Sequence, residues 1–192
     1  MKRIVAVLCA SALCACDCRE APAPKTAALS PSLTDSSGNQ HHPLVARDQK
    51  AIVLIFLMTD CPVAQATAPE LGRLVAEFGP RGVSFYGVYA TETAAEIETY
   101  QKDYRLPFPG LLDPRQELAH LAGATVVPEA AVFSPDRRIL YRGRVDDRAV
   151  SLGTMKAAPT RSDLRLALEA ILAGRKVEPQ FTEAVGCYLP ER

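Results

Sequence analysis

The sequence predicts an α/β protein, a central mixed β-sheet flanked by helices with a C-terminal tail, and three observations carry that expectation. Ala51 to Met58 is an unbroken apolar run, the pattern of a strand buried on both faces in the middle of a sheet. Beyond it, Leu71, Leu74, Val75 and Phe78 recur at helical spacing, so the chain turns from buried strand to a helix with one apolar face. Further on, Ala130 to Phe133 and Ile139 to Arg142 flank the turn Ser134-Pro135-Asp136-Arg137, which reads as a hairpin.

Between these landmarks the remaining elements fall into order. Pro62 marks the first helix start, since proline is tolerated at the first helical position. Phe78-Gly79-Pro80-Arg81-Gly82 ends that helix. Val83 to Tyr89, rich in valine and aromatics, is the second strand. Thr93 with Glu96 forms a capping box, and Ile97, Tyr100 and Tyr104 are the buried stripe of the second helix. Pro107 to Asp113 is extended, and Arg115 to Ala122 is a short helix stopping at Gly123. Thr160 with Asp163 caps a last helix whose Leu164, Leu168, Ile171 and Leu172 share a face. A βαβ half is thus followed by a ββα half, with helices on both faces of one sheet.

The first 42 residues carry other signals. Lys2 and Arg3 precede the apolar run Ile4 to Leu13, which suits an export signal and is too short to span a bilayer. Leu13-Cys14-Ala15-Cys16 resembles a bacterial lipobox. That resemblance implies a signal peptide over residues 1–15, cleavage after Ala15, and a lipid on Cys16 that anchors an exported protein to the periplasmic side of a membrane. Residues 16–42, rich in Pro, Ala, Ser and Thr at first, read as a lipid-anchored flexible tether. His41 and His42 at its end are expected in a solvated loop. The folded domain is expected over residues 43–192.

Composition excludes some functions. The chain of 192 residues holds 22 basic and 22 acidic side chains, a balance that gives no support for nucleic acid as a partner. Four of the six cysteines crowd the first eighteen residues. Only Cys61 and Cys187 remain in the body, too few for a disulfide scaffold or a four-cysteine zinc site. Cys61 sits where the buried strand hands over to a helix, and unpaired N–H groups at a helix start favour an anion. A free thiol of pKa about 8.5 is roughly 3% thiolate at pH 7. A helix terminus adds only about 0.3–1 kcal/mol, so the expectation is a moderately activated thiol.

The element order, together with Thr59-Asp-Cys-Pro-Val-Ala-Gln, Leu112-Asp-Pro-Arg, Gly123-Ala-Thr-Val-Val-Pro-Glu-Ala and Arg142-Gly-Arg-Val-Asp-Asp-Arg, resembles thioredoxin-like redoxin-domain proteins of the peroxiredoxin (alkyl hydroperoxide reductase and thiol-specific antioxidant) group. The resemblance covers about residues 43 to 187. It implies a thiol-dependent oxidoreductase with Cys61 as attacking cysteine, acting as an antioxidant redoxin. It also implies that Pro128 is a cis proline facing the sulfur, with Val127 free to pair with an extended substrate. Thr59 and Pro62 complete the substrate groove. No cofactor and no metal are expected. The partners implied are a protein disulfide or small oxidant as substrate and a thiol as electron donor.

Departures narrow this. Ala64 stands where a thioredoxin carries its second cysteine. Leu54 and Met58 occupy the positions of the proline and hydroxyl residue that hold a peroxide in peroxiredoxins, and Thr59 is one residue out of register. Disulfide is therefore favoured over peroxide, with Arg142, Arg144 or Arg148 as candidate cations for the latter. The interleaved charges of residues 142–148 are read mainly as mutual ion pairs. His120 is read as a surface residue. Gly186 before Cys187 suits a chain turning tightly onto a surface, and the tail is expected to fold over the site so that Cys187 resolves oxidised Cys61. An unpaired tail thiol and an intermolecular bridge stay open. Two other functions compete: a copper-handling module using Cys61, Cys187 and a histidine, and a non-catalytic module whose groove binds partners.

Overall fold

The computed structural model describes residues 31–45 and 48–190. The signal segment 1–15, Cys16 and the tether as far as residue 30 lie outside the described residues. In chain order the elements begin with β1 (Leu33–Thr34), β2 (Gln40–His41), β3 (Ala51–Leu57), α1 (Pro62–Phe78), β4 (Val83–Tyr89), α2 (Ala94–Tyr104), β5 (Gly110–Leu112) and α3 (Glu117–Ala122). They continue with β6 (Val126–Val127), β7 (Glu129–Phe133), β8 (Ile139–Gly143), β9 (Ala149–Ser151), β10 (Thr154–Met155), α4 (Asp163–Leu172) and β11 (Cys187–Tyr188).

Five strands form the central sheet in the order β5-β4-β3-β7-β8. β3 runs parallel to β4 and antiparallel to β7, which itself pairs antiparallel with β8. Every residue of β3 is buried, as its unbroken apolar run requires of a central strand. The register between β3 and β7 positions the candidate site. Phe56 lies opposite Glu129, so the end of β3 and the start of β7 share one end of the sheet. The chain leaving β3 at Cys61 therefore meets the chain entering β7 at the cis peptide Val127–Pro128. This is the mixed sheet flanked by helices that the sequence predicts.

Local capping follows the residues. Thr93 and Glu96 make both halves of a capping box, the Glu96 carboxylate accepting from the Thr93 N–H at 2.8 Å. At the other end of α1 the expected stop becomes one 3₁₀ turn, Gly79–Arg81, before β4. The third helix starts at Glu117 rather than Arg115, because the Asp113 carboxylate collects the N–H groups of Glu117, Leu118 and Ala119 and fixes the first turn there. Thr160 does not cap α4. Its N–H and hydroxyl both bond to Asp147, and Ser162 precedes the helix without a side-chain cap.

The fold also begins earlier than residue 43. β5 is an edge strand, and an edge presents unpaired backbone groups. The hairpin β1–β2 covers it: Asp35 bridges to Leu111, the Ser36 N–H donates to the Gly110 carbonyl at 3.0 Å, and Leu33 is buried. His41 is not in a solvated loop. Its Nε2 lies 2.7 Å from the Asp35 carboxylate and its ring meets Tyr86 edge-on, while His42 is exposed.

The Asp35 carboxylate also accepts from the N–H groups of Ser37 and Asn39. Burial works to raise its pKa, but the bonds from His41 and Asn39 outweigh that and hold it below the usual 3.8. A depressed carboxylate stabilises the fold above its unfolded pKa and loses that contribution as pH falls through the folded one. Asp35→Ala is expected to cost about 1–2 kcal/mol at neutral pH, with the gap to the unaltered protein closing below about pH 4. Denaturant midpoints across pH check this; a gap that does not narrow in acid contradicts it.

Candidate functional site

Cys61 occupies the residue before α1 in extended conformation, with exposed Pro62 at the first helical position. Its approach is clamped on both sides. The Thr59 N–H donates to Glu92 at 3.0 Å, and the Gln65 side-chain amide donates to the Thr59 carbonyl at 2.9 Å. Facing Cys61 is the Val127–Pro128 loop, held by buried Glu129, whose carboxylate accepts from the Thr125 N–H at 3.1 Å and faces Arg142 at 3.5 Å. Arg142 also donates to the Gly123 carbonyl at 2.7 Å. The loop thus takes its position from one buried carboxylate and one arginine.

The tail completes the site. Beyond α4 the chain runs back along β8, where Arg142 and the tail exchange two backbone hydrogen bonds of 3.0 Å with Gln180 and Thr182. The Thr182 hydroxyl sits 2.6 Å from the Tyr141 hydroxyl and accepts from the Arg144 N–H. Gly143, at φ +146°, permits this approach, since a Cβ there would strike the Thr182 backbone. The tail then forms β11, antiparallel to β6, with Cys187 opposite Val127 and Tyr188 opposite Val126. The Leu189 N–H closes the pairing on the Thr125 carbonyl at 3.0 Å.

This seats Cys187 on Cys61. The sulfurs lie 2.8 Å apart, both as free thiols, with Cys187 donating to Cys61 and Cys61 donating to the Val127 carbonyl at 3.4 Å. Cys61 is 1% exposed beneath this cover. Burial, then the hydrogen bond to Cys61, then the charges of Cys61 and Asp60 push the Cys187 thiol up to about 11. Cys187 therefore keeps its proton at neutral pH and presents it to the facing sulfur. Gly186 is what lets the strand sit so close. A Cβ at that position would fall inside the Val127 carbonyl oxygen and 2.6 Å from its carbon.

The residues singled out in the sequence divide into two groups. Cys61, Cys187, Val127 and Pro128 come together. Thr59 lines, with Gln65 and Tyr100, a cavity of about 430 Å³ between the start of α1 and α2. The charges of 142–148 pair mostly with other elements instead of with one another: Arg144 with Asp163, Asp147 with Lys156, and Arg148 with the Lys156 and Ala66 carbonyls. His120 is exposed and bonds the Gln116 carbonyl. Among the described residues no group of three or more His, Cys, Asp and Glu side chains is placed to hold a metal ion. Glu129, Glu92 and Thr182 escape a reading of the sequence. Each is a polar residue whose partner lies far along the chain or across a loop, and no local spacing marks it.

A model of the AhpC/TSA family matches residues 22–142, ending before the tail. Thiol-disulfide oxidoreductase ResA of Bacillus thuringiensis subsp. konkukian is 24% identical over 91 residues, 47% of this chain and 53% of that protein. The chain spans about half the length of the curated relatives it matches. Among solved structures, an uncharacterized conserved protein from Geobacillus kaustophilus superposes with TM-score 0.75 at 27% identity, covering 85% of this chain and 90% of that one. A secreted disulfide oxidoreductase of Mycobacterium tuberculosis superposes with TM-score 0.53 at 20% identity, covering 76% and 96%. These likenesses show the thioredoxin-like fold.

Docking of the tail depends on the missing Cβ of residue 186. Gly186→Ala is expected to lift β11 from β6 and raise the alkylation rate of Cys61 in the reduced protein about tenfold or more, since the pairing hydrogen bonds are lost. Iodoacetamide labelling followed by peptide mass analysis checks this; an unchanged rate contradicts it.

Proposed function

The chain belongs to the AhpC/TSA family, and from that premise we propose that it is a thiol–disulfide oxidoreductase in which Cys61 attacks and Cys187 resolves. The observation that carries the proposal is the 2.8 Å approach of the two sulfurs, with Cys187 held opposite Val127 by the pairing of β11 with β6. The name of the curated relatives, thiol-disulfide oxidoreductase, supports the same chemistry.

In the first step the Cys61 thiolate attacks one sulfur of a substrate disulfide. A Cys61–substrate disulfide forms and the other substrate sulfur leaves as thiolate. In the second, the Cys187 thiolate attacks the Cys61 sulfur, the intramolecular disulfide forms, and the substrate leaves reduced. Two electrons have passed from the protein to its substrate, and a thiol donor restores the two cysteines. The pair closes a loop across 126 residues, which in the chain-entropy model stabilises the oxidised fold by up to about 4–5 kcal/mol. Ala64 leaves α1 without a resolving thiol of its own, so that role falls to the tail. Disulfide rather than peroxide is the proposed substrate. Leu54 and Met58 offer a peroxide no hydrogen bond, and Arg142, Arg144 and Arg148 are engaged elsewhere.

Export and a lipid on Cys16 are part of the proposal, supported by Lys2, Arg3, the apolar run after them and the lipobox-like Leu13-Cys14-Ala15-Cys16. Cys16→Ser is expected to abolish labelling by radioactive palmitate and shift the protein out of the membrane fraction. A variant still labelled and still sedimenting with membranes removes the anchor from the account.

The redox proposal is tested by exposing reduced protein to one equivalent of a disulfide substrate. Mass mapping is expected to find Cys61 joined to Cys187. Cys61→Ser should abolish exchange, and Cys187→Ser should accumulate the Cys61–substrate disulfide instead of completing the cycle. Both thiols remaining free in the unaltered protein would sink the assignment.

A further inference from the structure

The tail is a peptide seated on the groove beside Cys61, and its fit states what else the groove accepts. Three positions are read differently. At Gly186, before the cysteine, the Val127 carbonyl occupies the space of a Cβ; this is backbone and cannot swing aside as a flexible side chain would. At Tyr188, after the cysteine, the side chain is 76% exposed and touches little. At Leu189 the side chain is buried and its N–H is bonded to Thr125. The groove has one steric filter, one open position and one apolar seat, arranged around a cysteine opposite Val127.

We propose that the Val126–Val127 edge selects partner polypeptides by the residue preceding their cysteine, taking an extended Gly-Cys-x-apolar segment and rejecting a side chain at the glycine. This deepens the exchange reading above and rests on it. The partner class is a protein that offers such a segment as a disulfide, in competition with the chain's own Val185-Gly186-Cys187-Tyr188-Leu189. A second copy of this chain carries the same segment and is one member of that class.

The full chain carrying Cys187→Ser serves for the test, because its Cys61 cannot be resolved internally. Synthetic peptides Val-Gly-Cys-Tyr-Leu and Val-Ala-Cys-Tyr-Leu are each joined through the cysteine to the chromogenic thiol 5-thio-2-nitrobenzoate. The Cys61 thiolate attacks the peptide sulfur, a Cys61–peptide disulfide forms, and the coloured thiolate leaves. The tail slows both peptides alike, so their ratio reports the filter. The expected result is a glycine peptide at least about tenfold faster than the alanine one, as overpacking against fixed backbone implies; a smaller ratio overturns the selection rule. The mixed disulfide of 2-mercaptoethanol with the same chromogenic thiol is the control. If it reacts at Cys61 while the peptides do not differ, only the selection rule falls. If it too leaves Cys61 untouched, the exchange reading falls and takes the rule with it.

Discussion

One antiparallel register governs this molecule. Because β3 and β7 run in opposite directions with Phe56 opposite Glu129, the exit of the most buried strand and the entry of its neighbour share one end of the sheet. Cys61 leaves by one and Pro128 arrives by the other. A shift by one residue would turn every side chain of a strand to the other face. Burial of all seven residues of β3 and all five of β7 makes such a slip costly. The hydrophobic core thereby sets the distance between a sulfur and the loop that faces it.

The tail contributes a second constraint, and it is a polar one. Between α4 and β11 the chain has little apolar surface to bury, and Phe181 and Tyr188 are exposed. It is held by backbone pairing along Arg142, by the Thr182 hydroxyl on Tyr141, and by two glycines that allow backbone to approach backbone. Val177 near its start and Leu189 at its end seat apolar side chains. Such attachment is directional: it fixes register more strongly than it adds stability, since each net hydrogen bond is worth only about 0.5–1.5 kcal/mol. A cover of this kind aligns Cys187 with Cys61.

Legibility in the sequence follows the range of the forces involved. Uninterrupted burial, helical periodicity and capping are written locally, so β3, α1, β4 and α2 can be read directly, and Cys61 falls at a strand-to-helix junction visible as such. The docked tail is only half visible. Gly186 hints at close approach, but the carbonyl it approaches belongs to Val127, about sixty residues back. The hairpin β1–β2 looks like linker because its composition is polar. It orders through Asp35, His41 and an edge strand about 75 residues beyond Asp35, none of which has a local pattern. Thr160 shows the reverse failure: a sound local capping signal loses to Asp147, which offers that residue and its neighbour a denser set of bonds.

The electrostatics of the sulfur pair give the proposed cycle an order. Three influences raise the Cys187 thiol: burial, its hydrogen bond to Cys61, and negative charge on Cys61 and Asp60. While Cys61 stands as a thiolate, all of them act and Cys187 keeps its proton, a donor rather than a nucleophile. Once Cys61 is bound into a disulfide with substrate it carries no charge, and that charge no longer holds the proton on Cys187. A sulfur in a disulfide is also a poorer hydrogen-bond acceptor than a thiolate, so the second influence weakens as well. In the proposed cycle the step that creates the target of Cys187 also weakens two of the influences that hold its proton. In that proposed cycle Cys61 attacks first and Cys187 waits.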